Sequence, residues 1–413
     1  MRPKNFRILI YSHDTFGLGH LRRCRSIAHT LVEKNKDLSV LILSGSPIIG
    51  SFDFRARVDF VRIPGVIKLR NGDYTSLNLH IDIKETLAMR ESIIRHTAES
   101  FRPDLFIVDK EPLGLRGEVE KTLHLLKKQD VPIILGLRDI MDDPESLAPE
   151  WKRKNIIPAL QNYYDQIWVY GLPQICNPLS GIKLSEKIEE KIFYTGYLKR
   201  HLPSISTHYG KTLSIKEPYI LVTTGGGGDG DTMIDWVLRA YEKNSSGLLP
   251  AVLILGPFMP SHRQAEFLTR AVSLKKIKII SFDTNIEHLM MKAEGIVAMG
   301  GYNTFCEILS FDKKALVIPR VKPRLEQYIR AERAEKLGLI KMLPENKYQD
   351  TEIMIKYLKN LPKQNLPSTV SIPGLLEGQN NVQKLAKEWL TLKNQRRNSS
   401  IPEKSSVVKM KRV

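Results

Sequence analysis

The sequence predicts an α/β protein built as two parallel-sheet domains in tandem. Three observations carry that prediction. Short β-branched runs alternate with amphipathic helical stretches over nearly the whole chain, which is the pattern of a parallel sheet covered by helices. The alternation breaks once, at the polar stretch "YTGYLKRHLPSISTHYGKTLSIKEP", and then restarts. A glycine-bearing turn follows the first strand of each half, "SHDTFGLGHLRR" in one and "TTGGGGDGD" in the other.

In the first half the strands are "RILIYS", "LSVLILS", "DFVRI", "DLFIVD", "PIILGL" and "QIWVYG". Between them "IDIKETLAMRESIIRHTAESF" and "LRGEVEKTLHLLKKQ" place apolar residues at helical spacing. The second half offers "YILVTT", "AVLILGP", "KIKIISF", "GIVAMG" and "KALVIPR", again with helices between. A chain of 413 residues exceeds one ordinary core. The division expected is residues 1–200, a linker at 201–217 and a second domain at 218–375. The amphipathic segment 376–392 then forms a last helix returning to the first domain, and residues 393–413 form a basic tail that does not fold. Two Rossmann-like domains facing across a cleft place ligands at the carboxyl ends of their strands.

Composition narrows the function classes. The net charge of +18 comes from 63 basic and 45 acidic residues, and part of it sits in the tail. The rest suits a polyanionic ligand, an anionic membrane surface or a solvated basic exterior. The segment "FRARVDFVRIPGVIKLRNGDY" interleaves Arg55, Arg57, Arg62, Lys68 and Arg70 with apolar residues, as does a rim meeting a lipid headgroup or acidic acceptor, or a solvated strand. No apolar run reaches the ~18 residues of a membrane span and the N-terminus lacks a signal-peptide core, so the location expected is the cytoplasm, including the inner face of a membrane. Three widely spaced cysteines, Cys24, Cys176 and Cys306, suggest neither a disulfide framework nor a thiolate metal site.

The chemistry concentrates in strand-to-helix turns, where backbone N–H groups and the helix dipole can hold phosphate. Four consecutive glycines, Gly225, Gly226, Gly227 and Gly228, exceed what a turn requires and leave room for a ligand against bare backbone. In "GIVAMGGYNTFCEILSF" the strand ends near Met299, Gly300 and Gly301 form the turn, and Glu307 falls near the first turn of the helix. A carboxylate there can accept both hydroxyls of a ribose, or it can simply favour a helix start. Acids in "GLRDIMDD" permit a hard-cation site, but a charged loop before a helix start at Pro144 explains them as well.

The stretch "SFDTNIEHLMMKAEGIVAMGGYNTFCEILSFDKKALVIPRVKPRLEQYIRAERAEKLGLIKML" resembles the C-terminal half of the GT-B glycosyltransferases, above all family 28, which includes the peptidoglycan N-acetylglucosaminyltransferase. That family has a glycine turn, a glutamate inside the following helix, a strand ending in Pro, a segment ending in Gln and an Ala/Glu-rich helix before "LG". The resemblance implies that Glu307 holds the ribose and that Thr304 with the Gly300 and Gly301 backbone meets the diphosphate. It also implies that Phe282 flanks the base, that Glu326 and Gln327 face the donor sugar, and that Gly225 to Gly228 are the glycine-rich turn opening the domain. The family often has Asp or His before the Gln, where this chain reads "RLEQ".

On the acceptor side His20 looks like the histidine of the family's G-x-G-H turn, and Asp109, ending "DLFIVD", is similar to an aspartate that orients it. A hydroxyl must lose a proton as it attacks the anomeric carbon, and a His-Asp pair would raise the basicity of the imidazole and fix its tautomer. His13 and Asp14 sit at the same strand end and could serve in either role. Gly17 and Gly19 leave space for an acceptor, and Arg22 or Arg23 is available to an anionic group on it.

The function expected is an inverting, metal-independent transfer of a sugar from a nucleotide-diphosphate donor, a UDP-sugar, to a hydroxyl acceptor such as a lipid-linked glycan precursor. No cofactor is implied, because the nucleotide sugar is a substrate. A UDP-sugar hydrolase or epimerase of the same fold is the alternative, since "GLGHLRRC" also resembles the UDP-sugar hydrolases of nonulosonic acid pathways. A basic nucleic-acid-binding protein is a second alternative, but no recognition helix, zinc module or RNP motif is present, so no specific nucleic acid is expected. No acid follows the second strand to take the ribose of NAD, which ranks a dinucleotide oxidoreductase low.

Overall fold

The computed structural model describes residues 5–13, 18–69, 73–202, 217–226, 228–283, 286–344 and 349–398. The first domain is a seven-stranded sheet with order β3-β2-β1-β6-β7-β8-β9. Its strands are β1 (Phe6–Ser12), β2 (Leu38–Ser44), β3 (Val58–Arg62), β6 (Leu105–Asp109), β7 (Ile133–Arg138), β8 (Gln166–Tyr170) and β9 (Ile192–Tyr194), while β4 (Val66–Lys68) and β5 (Tyr74–Ser76) form a separate antiparallel hairpin. The second domain is a six-stranded sheet with order β12-β11-β10-β13-β14-β15, using β10 (Ile220–Thr223), β11 (Ala251–Ile254), β12 (Ile277–Ile280), β13 (Gly295–Ala298), β14 (Ala315–Val317) and β15 (Lys341–Met342). All pairings within both sheets are parallel, in register such as Ile8 opposite Val40 and Val222 opposite Val297.

Helices α1 (Gly19–Glu33), α2 (Ile83–Phe101), α3 (Glu120–Lys128), α4 (Pro144–Arg153), α5 (Ile156–Asn162) and α6 (Glu186–Glu189) accompany the first sheet. Those of the second are α7 (Asp231–Lys243), α8 (Ser261–Ala271), α9 (Ile286–Lys292), α10 (Tyr302–Ser310), α11 (Glu326–Lys336) and α12 (Thr351–Asn360). Helices on both faces explain why β6 and β10 are apolar up to a polar last residue: every residue of each is buried.

The chain order reverses beside β1 in one sheet and beside β10 in the other, so each domain opens a crevice at the carboxyl end of its first strand. Those are the ends where the sequence places its glycine turns.

The last helix, α13 (Gly378–Asn398), packs on α1: Gln379 bonds Ser26, Gln383 donates to the Thr30 carbonyl and Asn381 to the Thr195 carbonyl. It thus returns to the first domain, but it runs six residues beyond the expected end at 392, because Lys393–Asn398 continue the helix instead of starting a tail. Residues 399–413, and 203–216 of the linker, lie outside the described residues. No helix among the described residues is long and apolar enough to cross a membrane.

Candidate functional site

The strand ends of the two domains face each other across a cleft of about 1180 Å³. Gly19, His20, Arg22 and Arg23 line it from the first domain, and Gly225, Gly226, Gly228, Phe282, Gly301, Thr304, Glu307, Glu326 and Gln327 from the second. Asp109 lies behind His20, and Gly300 lies behind Gly301. Gly17, Gly227, Asp14 and Arg70 fall outside the described residues.

His20 is the second residue of α1 and Asp109 the last of β6, so neighbouring strands bring them together. His20 Nδ1 and Asp109 Oδ2 are 2.5 Å apart. Arg23, one turn further along α1, grips the same carboxylate through Nε at 2.8 Å and Nη2 at 2.7 and 2.8 Å, and its Nη2 also stands 3.1 Å from His20 Nδ1. The tautomer is therefore set on Nδ1, which leaves Nε2 for the cleft.

Two expectations change here. Arg23 is 1% exposed and committed to Asp109, so it is not available to an anionic acceptor; the buried carboxylate demands a counter-ion, and Arg23 is that ion. The Asp109 carboxylate favours the imidazolium, but burial outweighs it, and the Arg23 charge opposes it as well. The result pushes His20 down to about 4, a neutral imidazole across the physiological range and not one of raised basicity. Arg23 together with His20 holds Asp109 well below the usual carboxylate range against the opposing effect of burial. His13, the other candidate, is buried, its Nδ1 standing 3.3 Å from the Tyr11 hydroxyl.

Across the cleft α10 starts at Tyr302, and its N-terminus points into the space bounded by the glycine turns. Gly300 has φ +79°, and a Cβ there would come within 2.7 Å of Val317 Cγ1, so only glycine fits the turn. Gly225 has φ +69° with open space where a Cβ would stand, so this turn presents bare backbone to the cleft. Glu307 is 1% exposed on α10; burial pushes it up to about 6 although Arg22 pulls it down. Arg22 reaches over from the first domain and bonds Glu307 Oε1 at 2.6 Å and Glu287 Oε1 at 2.8 Å. Arg22 is thus already paired with carboxylates, which corrects the expectation that it is available to an acceptor anion.

Two acids of "GLRDIMDD" are absorbed by the domain interface and the third by a helix start. Asp139 receives Arg330 through Nε at 2.7 Å and Nη2 at 2.6 Å and the Tyr197 hydroxyl at 2.8 Å, all fully buried. Asp142 takes Arg324 and the Leu325 amide, and Asp143 caps α4 through the amides of Glu145 and Ser146. Among the described residues no cluster of three His, Cys, Asp or Glu side chains is placed to hold a metal ion.

Several residues of the site escape sequence reasoning. Asn303 bonds the Gly19 carbonyl at 3.0 Å and receives Arg200 at 2.6 Å, tying the two candidate turns together. The guanidinium groups of Arg23 and Arg330 stand 5.6 and 5.8 Å from the centre of the Tyr302 ring. Lys110 and Arg138 also line the cleft. Each immediately follows or ends a strand, in "IVDK" and "LGLR", and that position was the one signal available.

Residues 220–398 match the glycosyltransferase family 28 C-terminal domain. An uncharacterized glycosyltransferase of Methanosarcina mazei is 23% identical over 322 residues, covering 73% of this chain and 77% of the relative. The UDP-N-acetylglucosamine–N-acetylmuramyl-(pentapeptide) pyrophosphoryl-undecaprenol N-acetylglucosamine transferase of Haemophilus influenzae is 30% identical over 94 residues, 23% of this chain and 26% of its own length. Among solved structures, Phytolacca americana UGT2 superposes with a TM-score of 0.60 at 13% identity, covering 93% of this chain and 99% of the other. Acinetobacter baumannii MurG does so with 0.52 at 10% identity, covering 94% and 99%. The UDP-GlcNAc 2-epimerase of Methanocaldococcus jannaschii reaches 0.57 at 14%, covering 92% and 99%.

Proposed function

From a chain that is a glycosyltransferase of the GT-B type, with a family 28 C-terminal domain at residues 220–398, we propose the following reaction. A UDP-sugar is held on the second domain, and its sugar passes with inversion to a hydroxyl acceptor held on the first. The observation that carries this reading is His20, fixed through Nδ1 by Asp109 and facing the α10 N-terminus across the cleft.

Nε2 of the neutral His20 takes the proton of the acceptor hydroxyl while its oxygen forms the bond to the anomeric carbon. The bond from that carbon to the β-phosphate oxygen breaks, and UDP leaves with the electron pair. The developing charge on the diphosphate falls to backbone N–H groups at Gly225, Gly226 and Gly228 and at Gly300 and Gly301, to Thr304 and to the positive end of α10. This supplies the charge stabilisation of a leaving group without a metal ion. Glu307 accepts the ribose hydroxyls, Phe282 borders the base, and Glu326 and Gln327 meet the sugar hydroxyls.

A lipid-linked acceptor at an anionic membrane surface fits the net charge and the exposed Leu69, Leu79 and Ile81 near the β4–β5 hairpin, with Lys68 at its edge. Incubation with UDP-sugars and lipid extracts tests both halves. Release of UDP that requires a lipid acceptor is expected; rapid release without any acceptor would sink the transferase reading in favour of a hydrolase.

A further inference from the structure

Among the described residues one cation at the donor-sugar end of the cleft has only a distant counter-ion, which it shares with another arginine. Arg138 ends β7 with its side chain 14% exposed, its Nε is buried without a hydrogen-bond partner, and the carboxylate paired with it, Glu326, is 4.0 Å away. Glu326 is itself held by Arg320 at 2.8 Å. Beside it Lys110, in the left-handed region at φ +67°, reaches Glu111 alone among the described residues, at 3.7 Å, and Glu111 already receives Lys154 at 3.0 Å.

Burial, with Arg23 and Arg330 nearby, pushes Arg138 down to about 10 against the pull of Glu326, and burial together with Arg138 pushes Lys110 down to about 8 against the pull of Glu111. A buried cation in such surroundings gains from any anion that enters. Glu326 Oε2 is likewise buried without a partner, so one acceptor and one donor wait on facing domains.

We propose that this end of the cleft selects a donor whose transferred sugar carries a carboxylate, recognised by Arg138 with Lys110 in support. A guanidinium takes a carboxylate in two parallel bonds, while the unfilled oxygen of Glu326 accepts a neighbouring ring hydroxyl. The assignment rests on the reading that Glu326 and Gln327 face the donor sugar.

Calorimetric titration of the full chain with UDP, UDP-glucose and UDP-glucuronate tests it. UDP-glucuronate is expected to bind about tenfold or more tighter than UDP-glucose. Arg138→Gln is expected to abolish that preference and leave the affinity for UDP within about twofold, which also reports an intact fold; Lys110→Gln reduces the preference. Equal affinity for the two sugars, or a preference that survives Arg138→Gln, overturns the proposal. A variant that loses UDP itself as strongly as UDP-glucuronate places Arg138 on the diphosphate and overturns it too. If wild-type protein binds none of the three, the nucleotide-sugar reading beneath it fails instead.

Discussion

Replacing Arg22 by Met should tighten the binding of UDP. Arg22 and the ribose compete for one carboxylate: Glu307 Oε1 accepts Arg22 at 2.6 Å, from a side chain 17% exposed onto one 2% exposed. A charge-assisted hydrogen bond of this kind contributes about 1.5–3 kcal/mol net, which is a factor of roughly 10 to 150 in affinity if the nucleotide must break it. Arg22 keeps its second partner, Glu287, when displaced, so the lower end, about tenfold, is the expected gain. Met preserves the apolar stem that packs in the cleft and removes only the guanidinium. Because Arg22 pulls Glu307 down, the variant carboxyl titrates higher than in the wild type, so calorimetry is run at several alkaline pH values. Unchanged or weaker UDP binding in Arg22→Met would refute the competition and, with it, the placement of the ribose on Glu307.

His20→Gln should cost about 10²- to 10⁴-fold in transfer rate and leave UDP affinity unaltered, measured by UDP release and calorimetry on the same preparation. The low value of His20 also makes stability depend on pH. The unfolded chain takes up this proton near 6.5 and the folded chain only near 4, so stability rises with pH and about 3 kcal/mol is lost on acidification through that window. Urea midpoints of wild type and His20→Gln should therefore converge below pH 6, and parallel curves would contradict the assignment. Asp139→Ala strands Arg330 as an uncompensated buried charge and should lower stability by about 3–5 kcal/mol in a thermal or urea melt, whereas a change below about 1 kcal/mol would show that the interface pair contributes little.

What the sequence made legible was local. Period and β-branching located the long strands, and glycines after "YILV" and "GIVAM" marked the turns that line the cleft. Strands of two or three residues such as β9 and β15, and the β4–β5 hairpin, are shorter than any period that could reveal them. The pairing of His20 with Asp109 could be expected because one opens the helix after β1 and the other ends the adjacent strand β6. The roles of Arg22 and Arg23 could not, since they follow from which carboxylate each meets, 285 and 86 residues away. The same distance hid the fate of "GLRDIMDD": nothing local shows that Arg324 and Arg330 will consume Asp142 and Asp139.

The ring of Tyr302 belongs to the helix end that would hold the leaving diphosphate, yet it rests on Arg23, the residue that neutralises Asp109 behind His20. Water reaching this seam would relieve the burial that keeps the imidazole neutral and return it towards its ordinary value near 6.5. Domain closure would then keep the imidazole neutral but make it the weaker base, and domain opening would make it the stronger one. A proton taken from an acceptor inside the shut cleft would be held most loosely while the cleft stays shut, so the motion that discharges product need not be the motion that discharges the proton.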